Sequence, residues 1–169
     1  VKVKIGNTQQ TNVIEKGIST LTLEPKIVDA IKKYYANIKF DLVLYSTPPI
    51  TLQKAVSYVK KRDNAKTYLM LKDIFPQNAV DLGMLSKSGV KGILYKYFRN
   101  KEKKLYKISD RIGCMSQANV DYVLKHNPEV DSKKVEICPN CIEVVDKSVD
   151  EEKKKKIREK YGIPSDKKV

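Results

Sequence analysis

Short apolar runs that break off on polar residues set the pattern of this chain. Tyr68 to Leu71 ends on Lys72-Asp73 and then Pro76, Asp41 to Tyr45 ends on Ser46-Thr47-Pro48-Pro49, and Arg111 to Met115 ends on Ser116-Gln117. Runs this short, bounded by turn residues, read as strands of a parallel sheet. Their polar exits put side chains at the carboxyl edge of an open α/β sheet, where such folds bind ligands. Three exits of this kind point to one shared cleft.

Helical spacing fills the stretches between. Ile27, Val28, Ile31, Tyr34 and Tyr35 recur at helical intervals behind Glu24-Pro25, and proline is accepted in a first turn, so a helix is expected to open there. Leu52, Ala55, Val56 and Val59 share one face of a helix over Thr51 to Arg62. Asn78 to Met84 predicts a short helix, closed by Gly83 and the Ser86-Lys87-Ser88-Gly89 loop. Val90 to Ser109 predicts a longer one, and Ala118 to His126 another before a turn at Asn127-Pro128. Val135 to Cys138 reads as a strand ended by Pro139-Asn140, and Val149 to Tyr161 as a charged helix stopped by Gly162-Ile163-Pro164. Val1 to Ile5 alternates with lysine as a strand does, whereas Gly6 to Ser19 is polar and aperiodic, as a loop is. Strand and helix alternating in this way predict an α/β protein with a mostly parallel sheet. The chain starts on Val, and Val169 reads as the first residue of a further strand, so the expectation is a piece of a larger protein.

Composition narrows the partners. Of the 169 residues, 41% are hydrophobic and 32% charged, enough to bury a core. The net charge of +14 calls for an anionic partner: nucleic acid, a phospholipid surface or a phosphorylated substrate. No apolar run approaches the ~20 residues of a membrane span, and the polar start carries no secretory signal pattern. Three cysteines do not make a disulfide scaffold and fit a reducing cytosol. Cys138-Pro-Asn-Cys141 is half of a zinc ligand set, but only Cys114 and His126 remain and neither has the spacing, so buried free thiols are expected and no metal. No Gly-x-Gly-x-x-Gly or Walker motif occurs, and one histidine gives no credible Ser-His-Asp set. These absences weigh against hydrolase, kinase and dehydrogenase chemistry.

The helix over Val90 to Ser109 is strongly basic. Val90, Ile93, Leu94, Tyr97, Phe98, Leu105 and Ile108 fall near one face; Lys87, Lys91, Lys96, Arg99, Lys101, Lys103, Lys104 and Lys107 surround it against Glu102 alone. A basic amphipathic helix with bordering aromatics suits an anionic bilayer, where each basic residue contributes ~1 kcal/mol. The other reading packs the apolar face on the sheet and leaves the lysines solvated. Combined, they put the apolar face inward and Lys91, Tyr97, Phe98, Arg99, Lys103 and Lys104 toward a membrane. Lys153 to Lys156, behind Asp150-Glu151-Glu152, reads as a solvated helix face.

The segments Asp41-Leu-Val-Leu-Tyr-Ser-Thr-Pro-Pro49, Lys72-Asp-Ile-Phe-Pro76, Ala79-Val-Asp-Leu-Gly83, Ser109-Asp-Arg-Ile-Gly-Cys-Met-Ser116 and Pro139-Asn140 resemble the N-terminal domain of bacterial family 4 glycosyltransferases, most of all those that build O-antigen or capsule units. The likeness spans roughly residues 40 to 145. It implies a GT-B architecture, two Rossmann-like domains facing a cleft, of which residues 1–145 would be a partial acceptor domain. Residues 146–169 would be the linker helix and the start of a donor domain. The resemblance further implies transfer of a sugar from a nucleotide sugar, held by a C-terminal domain not in this chain, to a lipid-linked saccharide. That places the enzyme in the cytoplasm, peripheral at the inner face of the cell membrane, with no bound cofactor and with this fragment inactive alone. Three departures stand out: Lys72-Asp73 where the family often has His-Asp or Arg-Asp, Phe75 where many members have Trp, and Pro139-Asn-Cys-Ile-Glu143 for the common Pro-Asn-Gly-Val-Asp.

Each candidate residue has a functional and a purely structural reading. Asp73 is an acceptor-hydroxyl anchor, or a general base if the enzyme inverts, or a helix N-cap. Lys72 balances an acceptor or donor phosphate. Ser46 and Thr47 contact acceptor, or form a strand-to-helix turn. Ser116 and Gln117 face the interdomain cleft, or Ser116 caps the next helix; Asn140 and Glu143 sit at the hinge. Two rival functions remain open. One is a basic nucleic-acid-binding α/β domain, against which stand the scarcity of arginine and the lack of an RNA-binding signature, so no nucleic acid is expected. The other is a noncatalytic glycosyltransferase partner subunit of the same half-fold.

Overall fold

A computed structural model describes residues 2–4, 13–141 and 150–167. The chain divides into two units, Val1–Pro139 and Asn140–Val169. The first runs α1 (Val13–Tyr34), β1 (Leu42–Thr47), α2 (Gln53–Asp63), β2 (Lys66–Leu71), α3 (Gln77–Asp81), α4 (Gly89–Ile108), β3 (Arg111–Cys114), α5 (Gln117–His126) and β4 (Val135–Ile137). All four strands are parallel and ordered β1-β2-β3-β4, with Leu44 opposite Tyr68, Leu69 opposite Ile112 and Cys114 opposite Ile137. This is a Rossmann-like α/β arrangement. Every strand and the helices α2, α4 and α5 lie within about two residues of where the periodicity puts them, the usual scatter of such boundaries, while α3 ends at Asp81, three residues short of the expected Met84.

Strands taken in sequential order with right-handed crossovers put the connecting helices on one face of the sheet. Alternation then sorts the side chains. Tyr45, Leu69, Leu71, Ile112 and Cys114 turn toward the helices and are buried with Val56, Leu105, Tyr106, Val120 and Val123. Leu42, Leu44, Tyr68, Met70 and Gly113 turn the other way, away from the helices of the same unit; Leu42 and Leu44 are 56% and 57% exposed. Gly113 is forced by its neighbours: a Cβ there would meet the Tyr68 hydroxyl at 2.5 Å and Cys138 Cβ at 2.6 Å.

Three expectations fail in the first unit's N-terminal region. Lys2–Lys4 form no strand, the rest of that run lying outside the described residues. The expected loop is helical from Val13 onward, and Pro25 sits inside α1 rather than at its start. A proline in a helix interior costs about 3 kcal/mol, so packing must sustain the helix. Glu24, next to it, is buried; its carboxylate accepts the Lys54 N–H in the first turn of α2 and lies 3.7 Å from Lys101 Nζ.

The orientation of α4 also differs from expectation. Its inward face carries Gly92, Glu102, Leu105 and Tyr106, and its exposed face carries Val90, Ile93, Leu94 and Tyr97. A polar network explains the rotation. Tyr106 donates to Glu102 Oε1 (2.7 Å), and Arg99 reaches Glu102 Oε2 (2.5 Å), Asn127 Oδ1 (2.6 Å) and the His126 carbonyl (2.8 Å). Satisfied in this way, polar groups tolerate burial. Burial still pushes the Glu102 carboxyl above its usual range, with Tyr106 and Arg99 opposing.

The second unit holds α6 (Glu151–Tyr161), capped by Asp150, which accepts the Glu152 N–H at 3.1 Å, and ended at Gly162 with φ 63°. None of its helical residues is buried within that unit, and Lys153 to Lys156 are solvated as expected. Among the described residues, no helix is long and apolar enough to cross a membrane.

Candidate active site

The site begins where β2 stops. After Leu71 the chain leaves the sheet through Lys72-Asp73-Ile74 and turns into α3. Pro76 takes the cap position of α3, and no side chain caps that helix, so Asp73 is free of the structural role open to it. Its carboxylate instead accepts from the Asn78 amide nitrogen, which lies 2.7 Å from Oδ1 and 2.6 Å from Oδ2. That pairing fixes which way the Asn78 amide faces, because only the nitrogen donates. The Asp73 carbonyl accepts the Thr47 hydroxyl at 3.4 Å, which ties the end of β1 to the end of β2.

Beside this turn lies a cavity of about 210 Å³, lined by Lys72, Asp73, Ile74, Gln77, Asn78, Asp81, Asn119 and Tyr122. That is roughly seven waters' share of liquid volume, room for a small polar ligand. The lining comes from the β2 exit, α3 and the first turns of α5, so the crossover topology assembles it. Gln77 Nε2 donates to Asp81 at 2.7 Å, but Gln77 Oε1 and Asn78 Oδ1 are buried and find no donor. The Asp73 and Asp81 carboxylates each take one side-chain amide as donor and, with several acceptor positions apiece, have room for the hydroxyls of a ligand. Tyr122 supplies an aromatic wall, its ring stacked on His126 at 4.0 Å. Burial, with Tyr95, Glu102 and Asp81 adding to it and Arg99 opposing, raises the Tyr122 pKa, so its hydroxyl stays protonated and able to donate at neutral pH.

The residues named from sequence separate into groups. Lys72 and Asp73 line the cavity together. Thr47 is buried, with its hydroxyl spent on the Asp73 carbonyl, while Ser46 turns to the uncovered face of the sheet opposite Met70. Adjacent strand residues point to opposite faces, so the pair does not act at one site. Ser116 caps α5: its hydroxyl oxygen accepts the Asn119 N–H at 3.3 Å, and its hydroxyl donates to Asn119 Oδ1 at 2.6 Å. In that role it fixes Asn119, which reaches the cavity. Gln117 is exposed and donates to Asp121 at 2.8 Å. Asn140 is exposed in the second unit, and Glu143 lies outside the described residues. Of the residues assigned to membrane contact, Lys91, Tyr97, Lys103 and Lys104 are exposed. Lys103 pairs with Glu129 at 3.1 Å, while Phe98 packs inward against Phe75 (5.0 Å between rings) and Arg99 joins the network at α5.

Gln77, Asn78, Asp81, Asn119 and Tyr122 were not picked out from the sequence. The spacing Gln77-x3-Asp81 on one helical face was the available signal for part of the set. Cys114 is buried, and burial raises its thiol to about 11; Cys138 is half-buried and Cys141 exposed. Among the described residues, no group of three or more Cys, His, Asp or Glu is placed to hold a metal ion. Neither the protein-family models nor the curated proteins give a match to this chain.

Proposed function

We propose that this chain is the acceptor-holding half of a GT-B glycosyltransferase acting in cell-surface polysaccharide assembly. The observation that carries the reading is the polar cavity at the carboxyl edge of β2, where Asp73 and Lys72 meet Gln77, Asn78, Asn119 and Tyr122. Carboxylate, amide and phenol groups around a small cleft match the hydroxyls and ring face of a sugar. The resemblance of the strand exits to family 4 glycosyltransferases supports the same reading.

In this proposal Asp73 accepts a hydrogen bond from the attacking hydroxyl of the acceptor sugar. That oxygen bonds to the anomeric carbon as the bond from that carbon to the nucleotide phosphate breaks. In an inverting enzyme the proton passes to Asp73; in a retaining one it leaves with the phosphate and Asp73 only positions the acceptor. Asn78, bonded to both carboxylate oxygens, keeps Asp73 in one orientation. The exposed Lys72 ammonium balances a phosphate on the acceptor or donor. The nucleotide sugar is the business of a second Rossmann-like domain. A lipid-linked acceptor puts the work at the inner membrane face, with the protein peripheral.

Replacing Asp73 by Ala in the full-length enzyme is expected to lower turnover at least tenfold while leaving the unfolding midpoint in place. Turnover that stays at the unsubstituted level removes this carboxylate from the mechanism.

A further inference from the structure

Half of α4 is built inside out. Val90, Ile93, Leu94 and Tyr97 are 85%, 72%, 46% and 40% exposed and recur at the i, i+3, i+4, i+7 spacing of one helical stripe. Just before the helix, Leu82 and Met84 are also exposed. Scattered apolar residues on a surface need no explanation, but a continuous stripe marks an interaction site.

The charges around the stripe say what kind of partner it meets. From Leu82 to Lys101 the chain carries Lys87, Lys91, Lys96, Arg99 and Lys101 and no acidic residue. At 100° per residue, Lys91 and Lys96 fall roughly 110° to either side of the stripe's centre. Both are exposed. Lysines placed there lay their methylene stems along the apolar band and raise their ammonium groups to an anionic headgroup layer. Tyr97 closes the band with the amphipathic ring that favours such a boundary. A protein partner of neutral or basic surface would leave these cations unanswered.

We infer that the stripe Val90-Ile93-Leu94-Tyr97, flanked by Lys91 and Lys96, inserts into the headgroup boundary of an anionic bilayer and lays α4 in the membrane plane. This deepens the lipid-linked acceptor reading and rests on it for the choice of membrane. It keeps Lys91 and Tyr97 of the contact expected from sequence, leaves out Phe98, Arg99, Lys103 and Lys104, and turns the apolar stripe of the helix's first half to the bilayer rather than to the sheet.

The test is partitioning of the 169-residue chain onto phosphatidylglycerol–phosphatidylcholine vesicles and onto pure phosphatidylcholine vesicles. Neither carries a saccharide, so failure of the sugar-binding reading leaves the result intact. Binding to the anionic vesicles is expected, with Ile93→Ser/Leu94→Ser weakening it at least tenfold and Lys103→Ser/Lys104→Ser changing it little. An Ile93→Trp variant is expected to shift its emission to the blue on anionic vesicles. Because these positions are exposed, circular dichroism should show all the variants folded. Unchanged partitioning of the double serine variant, or an unshifted tryptophan, overturns insertion. So does absence of vesicle binding combined with a concentration-dependent dimer that the double serine variant abolishes, which would assign the stripe to a second copy.

Discussion

A carboxylate at a strand exit is visible in sequence because the apolar run before it ends so sharply; Asp73 was legible for that reason. Its partners were not. Asn78 lies in the first turn of α3, and Asn119 and Tyr122 arrive from α5, past a crossover of some forty residues, so no local spacing joins the set. The same holds for Gly113, whose need for no side chain comes from Tyr68 on β2 and Cys138 beyond β4. A methyl group at 113 would press on the Tyr68 hydroxyl and on Cys138 Cβ. Gly113→Ala is therefore expected to cost about 1–3 kcal/mol, the range for overpacking a filled site. Urea unfolding checks it, and adding Tyr68→Ala is expected to recover part of the loss.

Elements were legible wherever the apolar run was short or its period clear, and illegible where tertiary contacts overrode the local pattern. Helix α1 runs through Pro25 because Glu24 is anchored against α2. Helix α4 turns its apolar stripe outward because Arg99, Glu102 and Tyr106 are satisfied inside. A similar junction governs acid stability. Asp110, between α4 and β3, accepts from Lys60 Nζ of α2 at 2.9 Å and from the N–H and hydroxyl of Thr67 on β2, each at 2.9 Å. Burial works against the charge, but the Lys60 and Thr67 bonds outweigh it and hold the carboxyl below its usual range. A carboxyl depressed by folding stabilises the protein above its unfolded pKa, near 3.9, and loses that contribution as pH falls through the folded value. Asp110→Asn is expected to lower stability at pH 7 by about 1 kcal/mol, since the group is partly exposed. The gap between the variant and the parent should narrow as pH falls from the unfolded value through the lower folded one. Thermal melts at pH 7 and at successively lower pH follow it; a gap that never narrows rules out the charge as the cause.

At the scale of the whole molecule, alternation of strand and helix was enough to foretell a parallel α/β sheet. The sequential strand order was not readable, since every right-handed order satisfies the same alternation. That order leaves one face of the sheet without helices from the described part of its own unit, and it has a calorimetric consequence. Apolar surface that is wet in the native state adds nothing when the chain unfolds. Leu42, Leu44, Val90 and Ile93 are already largely hydrated. A fully packed chain of 169 residues would show a heat-capacity increment of roughly 2.0–2.5 kcal/mol/K. Differential scanning calorimetry of this chain is expected to give less, with a correspondingly shallow urea dependence. An increment at the full value would mean that these side chains are dry in solution. The stability curve of the isolated chain thus reports, without any ligand, how much of its apolar surface is kept for something else.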